Sequence, residues 1–113
     1  MIKGKIVLVP FPFDDLSSSK VRPAVCLTNE INAHKHVILA FITSRLPEPL
    51  QKSDINLPAN SEHFSETGLK VASTIRLHRV ITITTKIIQR ELGRLPGDIQ
   101  KTLEDKLRQL FAL

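Results

Sequence analysis

Prolines and polar breaks cut the apolar residues of this chain into short, β-rich stretches, and that division constrains the fold more than any other feature. The longest apolar run, residues 6–13, spans eight residues and contains Pro10 and Pro12. It is too short to cross a bilayer as a helix. The stretches KIVLVPF (5–11), VRPAVCLT (21–28) and HVILAFIT (36–43) read as strands, the last most strongly because it is dense in β-branched residues. A short strand is expected over 53–57, and residues 69–75 and 77–83 make two further strands or one bent strand. Pro10 and Pro12 donate no amide hydrogen, so the first strand should lie at a sheet edge or leave the sheet early.

The carboxy-terminal third reads differently. Thr84 is placed to cap a short helix running through Leu92, with Gly93 as its stop signal. Asp98 is placed to cap a second helix. There Ile99, Leu103, Leu107 and Leu110 recur on one stripe, with Lys101, Glu104, Asp105 and Arg108 off it. With no tryptophan or tyrosine and only five phenylalanines, the core must be aliphatic. Five or six short strands must bury that core within 113 residues, which predicts a small, strongly curved antiparallel sheet or barrel. At this length, residues 1–113 are expected to form a single domain.

The net charge of +5 is unevenly spread. Residues 1–28 carry Lys3, Lys5, Lys20 and Arg22 against Asp14 and Asp15. Residues 76–113 carry eight basic side chains against four acidic ones. Such an excess favours an anionic partner. Cys26 is alone and forms no internal disulfide; sharing a strand face with Ala24 and Thr28, it reads as a buried, inert thiol. The run 6–13 ends in Asp14-Asp15 without a small-residue cleavage pattern, so no signal peptide or membrane association is expected and the location is expected to be cytoplasmic.

No P-loop, dinucleotide fingerprint, zinc-ligand ladder or calcium loop is present in the sequence. His34 and His36 could offer two imidazoles to a metal, but no third ligand lies nearby. No cofactor and no metal are expected. One constellation remains. Arg22 follows the polar stretch ending Ser19-Lys20, and Pro23 keeps it extended by clashing with a helical neighbour. Thr43 and Ser44 end the strongest strand. If these strand ends converge on one rim, an arginine with hydroxyls can hold a phosphate and stabilise added negative charge. The alternative is a solvated arginine and hydroxyls capping a strand end.

The residues also carry a resemblance. Gly4-Lys5-Ile6-Val7-Leu8-Val9-Pro10-Phe11-Pro12, Lys20-Val21-Arg22-Pro23-Ala24-Val25, Ala40-Phe41-Ile42-Thr43-Ser44, Ser73-Thr74-Ile75-Arg76-Leu77-His78-Arg79-Val80 and Gly93-Arg94-Leu95 together span nearly the whole chain. In combination they resemble the MazF/PemK family, the toxin halves of bacterial type II toxin–antitoxin pairs. The resemblance implies a mainly β fold with accessory α structure: a small SH3-like curved antiparallel barrel with a C-terminal amphipathic helix. It implies a homodimeric, metal-independent endoribonuclease that cuts single-stranded RNA at short sequences. It also implies a cognate antitoxin that blocks the RNA surface, with operator DNA reached only through the antitoxin complex.

By position, Arg22 resembles the family's catalytic arginine, Thr43 its catalytic threonine, and Ser44 belongs to the same motif. His78, Asp14 and Asp15 are candidates for acid–base or orienting roles. Ser19, Lys20, Arg45, Arg76 and Arg79 are candidate RNA contacts. Phe13 is the one phenylalanine placed to stand beside Arg22, and packing of Phe11 or Phe13 in the core is the favoured alternative. The chain departs from the family pattern at Lys5 and His78, where the usual residues are acidic or amide. The alternatives are a noncatalytic toxin of the same fold that binds a protein such as a topoisomerase, and a nucleic-acid-binding module without chemistry.

Overall fold

The computed structural model describes residues 1–11 and 20–113. Six strands form one antiparallel sheet: β1 (Lys5–Phe11), β2 (Lys20–Cys26), β3 (His36–Thr43), β4 (Asp54–Leu57), β5 (Ser73–Thr84) and β6 (Arg90–Arg94). Helix α1 (Gly97–Leu110) follows. Across the sheet the order is β4-β5-β3-β2-β1-β6. The result is the expected architecture, a mainly β, SH3-like half-barrel with one C-terminal helix. Among the described residues no helix is long and apolar enough to cross a membrane.

The continuous apolar runs arise because the sheet buries residues on both faces. Ile6, Val25, Ala40, Ile42, Ile75 and Leu77 point into one cluster. Their neighbours Val7, Ala24, Cys26, Leu39 and Phe41 point into another on the opposite face. The first cluster is sealed by α1, whose Leu103 is fully buried while Ile99 and Leu107 pack beside it. The apolar stripe stops there, because Leu110 is exposed. Asp98 lies in the first turn rather than at the N-cap, which Pro96 occupies. An acid there still complements the helix dipole.

The first strand is not at the sheet edge that its prolines predicted: β1 lies between β2 and β6, and Pro10 is accommodated by a local loss of pairing. The β6 ladder on β1 ends at Leu8, paired with Arg90, so Pro10 pairs only with Val21 on the other side. The helix expected from Thr84 through Leu92 is absent. Thr84 does cap, accepting from the Lys86 amide, but only a 3-10 turn follows, Thr85–Ile87. The chain then enters β6, whose partner is β1. Gly93 is therefore a strand residue, not a stop. A Cβ at Gly93 would run into the Glu66 carbonyl, and one at Gly68, where φ is 71°, into that of Leu92. These two glycines allow the 3-10 turn Phe64–Thr67 to press directly on β6.

Cys26 is 1% exposed, and burial pushes its thiol up to about 11. The native thiol is expected to resist iodoacetamide at pH 8 and to react once urea unfolds the chain, as mass spectrometry would read. The sign for stability follows. An unfolded cysteine ionises near 8.5, so this contribution is intact below that pH and is lost as the pH rises through about 11.

Candidate functional site

Residues directly opposite in an antiparallel ladder share a face. Phe41 of β3 lies opposite Ala24 of β2 and Arg76 of β5, and Arg76 lies opposite Asp54 of β4. One row thus crosses four strands. The next row toward the sheet end holds Thr43, opposite Thr74, which lies opposite Asn56. Arg22, two residues before Ala24, occupies the same face of β2. Strand alternation therefore brings an arginine and a threonine hydroxyl to one end of one face.

A bulge completes the set. Ala40 pairs with Val80 and Phe41 with Arg76, leaving Leu77, His78 and Arg79 without register partners on β3. The guanidinium carbon of Arg79 lies 4.9 Å from the Phe41 ring centre, and that of Arg22 lies 5.6 Å from it. Both are within cation–π range. Phe41 itself is only 4% exposed, so it serves as a support for two cations rather than as an open stacking platform.

An open cleft of about 750 Å³ lies over this row, lined by Arg22, Phe41, Thr43, Ser44, Arg45, Arg76, Arg79 and the segment 46–48. Thr43 is half-buried, and its Oγ1 accepts from the Arg45 amide at 3.1 Å. A hydroxyl that accepts one bond keeps its own proton to donate, so Thr43 is free to donate into the cleft. Arg76 is held from behind. Its Nε lies 2.8 Å from Oδ1 of Asp54, whose side chain is fully buried, whereas Arg76 keeps 20% of its side chain exposed. The two atoms are close enough for an ion pair but off the line of a hydrogen bond. The other Asp54 oxygen accepts from the Gln51 amide at 2.8 Å.

Of the sequence candidates, Arg22, Thr43, Ser44, Arg45, Arg76 and Arg79 meet in this cleft. His78 is exposed and lies outside its lining, with Nε2 3.5 Å from Nη2 of Arg76. Asp14, Asp15, Ser19, Phe13 and the side chain of Lys20 lie outside the described residues. Four lining residues were missed: Phe41, Leu46, Pro47 and Glu48. Phe41 is the phenylalanine found beside Arg22 among the described residues, and its position two residues before Thr43 was the available signal. Glu48, an acid in the cleft, left no signal within its proline-broken loop. His34 and His36 stack with ring centres 5.7 Å apart, and no metal-holding group of three His, Cys, Asp or Glu side chains occurs among the described residues.

A family model described as the PemK-like, MazF-like toxin of type II toxin–antitoxin systems matches residues 2–111. No curated protein matches the chain. Solved structures share its fold. The Mycobacterium tuberculosis toxin MazF-mt6 is 21% identical, with a TM-score of 0.73 over 96% of this chain and 97% of that one. An endoribonuclease from a mycobacterial species, solved with its cognate antitoxin, is 11% identical, with a TM-score of 0.74 over 100% of this chain and 96% of that one. MazF in a MazE–MazF structure from Deinococcus radiodurans is 19% identical, with a TM-score of 0.69 over 100% and 96%.

Proposed function

The chain belongs to the PemK-like, MazF-like toxin family of type II toxin–antitoxin systems, and from that membership we propose that it is a sequence-specific endoribonuclease that cuts single-stranded RNA without a metal ion. The observation that carries this reading is that Arg22 and Thr43 line the same open cleft. The RNA's own 2′-hydroxyl attacks the adjacent phosphorus, and the 5′-oxygen of the next nucleotide leaves. The products are a 2′,3′-cyclic phosphate and a 5′-hydroxyl.

Negative charge gathers on the nonbridging phosphoryl oxygens as the reaction proceeds. Arg22 offers them a planar fork of donors, and Thr43 adds a hydroxyl proton. Phe41 holds the Arg22 plane without using its donors. Arg45, Arg76 and Arg79, with Ser19 and Lys20, contact the neighbouring phosphates and bases. Beyond Arg22, the arginines of the cleft outnumber Glu48, its one acid among the described residues, so the surface attracts a polyanion. The working toxin is a homodimer, and a cognate antitoxin silences it by covering the cleft. One of the similar structures is described as an endoribonuclease in complex with its cognate antitoxin, which supports that partner.

The test is cleavage of a diverse single-stranded RNA pool in buffer containing EDTA, with the cut ends sequenced and their chemistry assigned. Discrete cuts at a short shared sequence, ending in cyclic phosphate, are expected. Intact RNA after incubation with folded, antitoxin-free protein would reject the enzyme.

A further inference from the structure

Arg22 and Ser44 line two clefts at once. The second cleft, of about 710 Å³, meets the first across these two side chains. Its chemistry is distinct. Among the described residues its cations are Arg22, Lys70 and Arg90, and no acidic side chain lines it. Lys70 and Arg90 are exposed, and neither forms an ion pair with a described residue. Between the cations the walls are aliphatic, with Val21 42% and Val71 55% exposed. Exposed aliphatic walls beneath a cationic rim suit nucleobase faces whose phosphates stay outside. The wall carrying Lys70 is also fixed in place, because Gly68 packs against the Leu92 backbone of β6, the strand that carries Arg90.

We propose that this second cleft binds the nucleotides flanking the cleaved bond, so that one RNA strand crosses both clefts. The reacting phosphate sits at Arg22 and the flank lies against Lys70 and Arg90. The inference rests on the endoribonuclease reading of the first cleft. An acidic peptide with apolar side chains would meet similar chemistry here. RNA is favoured because the clefts share Arg22 and Ser44, which makes the second the continuation of a strand engaged at the first.

The experiment compares a short strand of about 5 nucleotides around a mapped cut site with one of about 12, lengths within the usual range for single-strand sites. The variant is Lys70→Glu with Arg90→Glu, and Lys70→Gln with Arg90→Gln is a milder pair if charge reversal impairs folding. For the long strand, KM should rise at least about tenfold with kcat unchanged. The short strand should keep its parent kcat/KM. The salt dependence of long-strand binding should also flatten, by roughly 0.7 in log–log slope for each lost phosphate contact. Equal losses on both strands, no loss on the long strand, or a loss confined to an acidic antitoxin peptide would each overturn the proposal. If no RNA is cut, the nuclease reading fails by itself, and fluorescence anisotropy with oligouridylates of both lengths still decides. A length-dependent gain in affinity that the variant abolishes supports the second cleft, and a gain that survives in the variant, or no gain in the parent, rejects it.

Discussion

Replacing Arg22 with lysine is expected to lower the single-turnover cleavage rate at least about a hundredfold while leaving thermal melting nearly unchanged. A hundredfold corresponds to about 2.7 kcal/mol of transition-state stabilisation, within the range for removing one well-aimed donor from a site of developing negative charge. Lysine preserves the charge, so RNA should still bind weakly. It loses the planar fork that can meet two phosphoryl oxygens at once. It also loses the flat face that lies 5.6 Å from the Phe41 ring centre, so the remaining ammonium is less well aimed. The competing explanation makes Arg22 a loop anchor paired with Asp14 or Asp15. That explanation predicts a lower melting temperature with activity reduced in proportion to the folded fraction. A cleavage rate close to the parent's would remove Arg22 from the chemistry.

The parts of the fold that were legible in the sequence are those whose cause is local. β3 occupies residues His36–Thr43, as its β-branched density predicts. The stripe on α1 buries Leu103 where the spacing places it. β6 was not legible. TTKIIQREL mixes β-branched residues with helix formers and shows no strand alternation, and its conformation is set by pairing with β1 and by the close approach of Glu66 to Gly93. Contacts of that kind, between residues distant in sequence, override local propensity. The candidate site divides in the same way. Arg22 and Thr43 could be nominated because each ends or begins a readable strand. The position of Arg79 over Phe41 depends on a bulge that leaves Leu77, His78 and Arg79 unmatched, and an unbroken β-like sequence gives no sign of it.

Arg76 separates structural from functional cations in the cleft, because its removal should also destabilise the fold. Arg76→Met leaves the fully buried Asp54 carboxylate with the Gln51 amide but without its cation. Removing one partner of a buried pair typically costs about 3–5 kcal/mol. The lower end is expected here, because Arg76 retains 20% side-chain exposure and its charge is partly screened by water. Urea unfolding should therefore show a lower midpoint at an unchanged slope. Adding Asp54→Asn should recover most of the loss. The asparagine oxygen can still accept from Gln51, while the charge that needed compensation is gone. An Arg76→Met midpoint equal to the parent's would show that the pair is not structural, leaving Arg76 as a surface cation available only to RNA. If the double variant is stable, its cleavage kinetics then isolate what Arg76 contributes in the cleft. A KM rise at constant kcat would mark a contact that binds the strand equally before and during reaction, whereas a fall in kcat would extend the charge-stabilising set from Arg22 to the next strand.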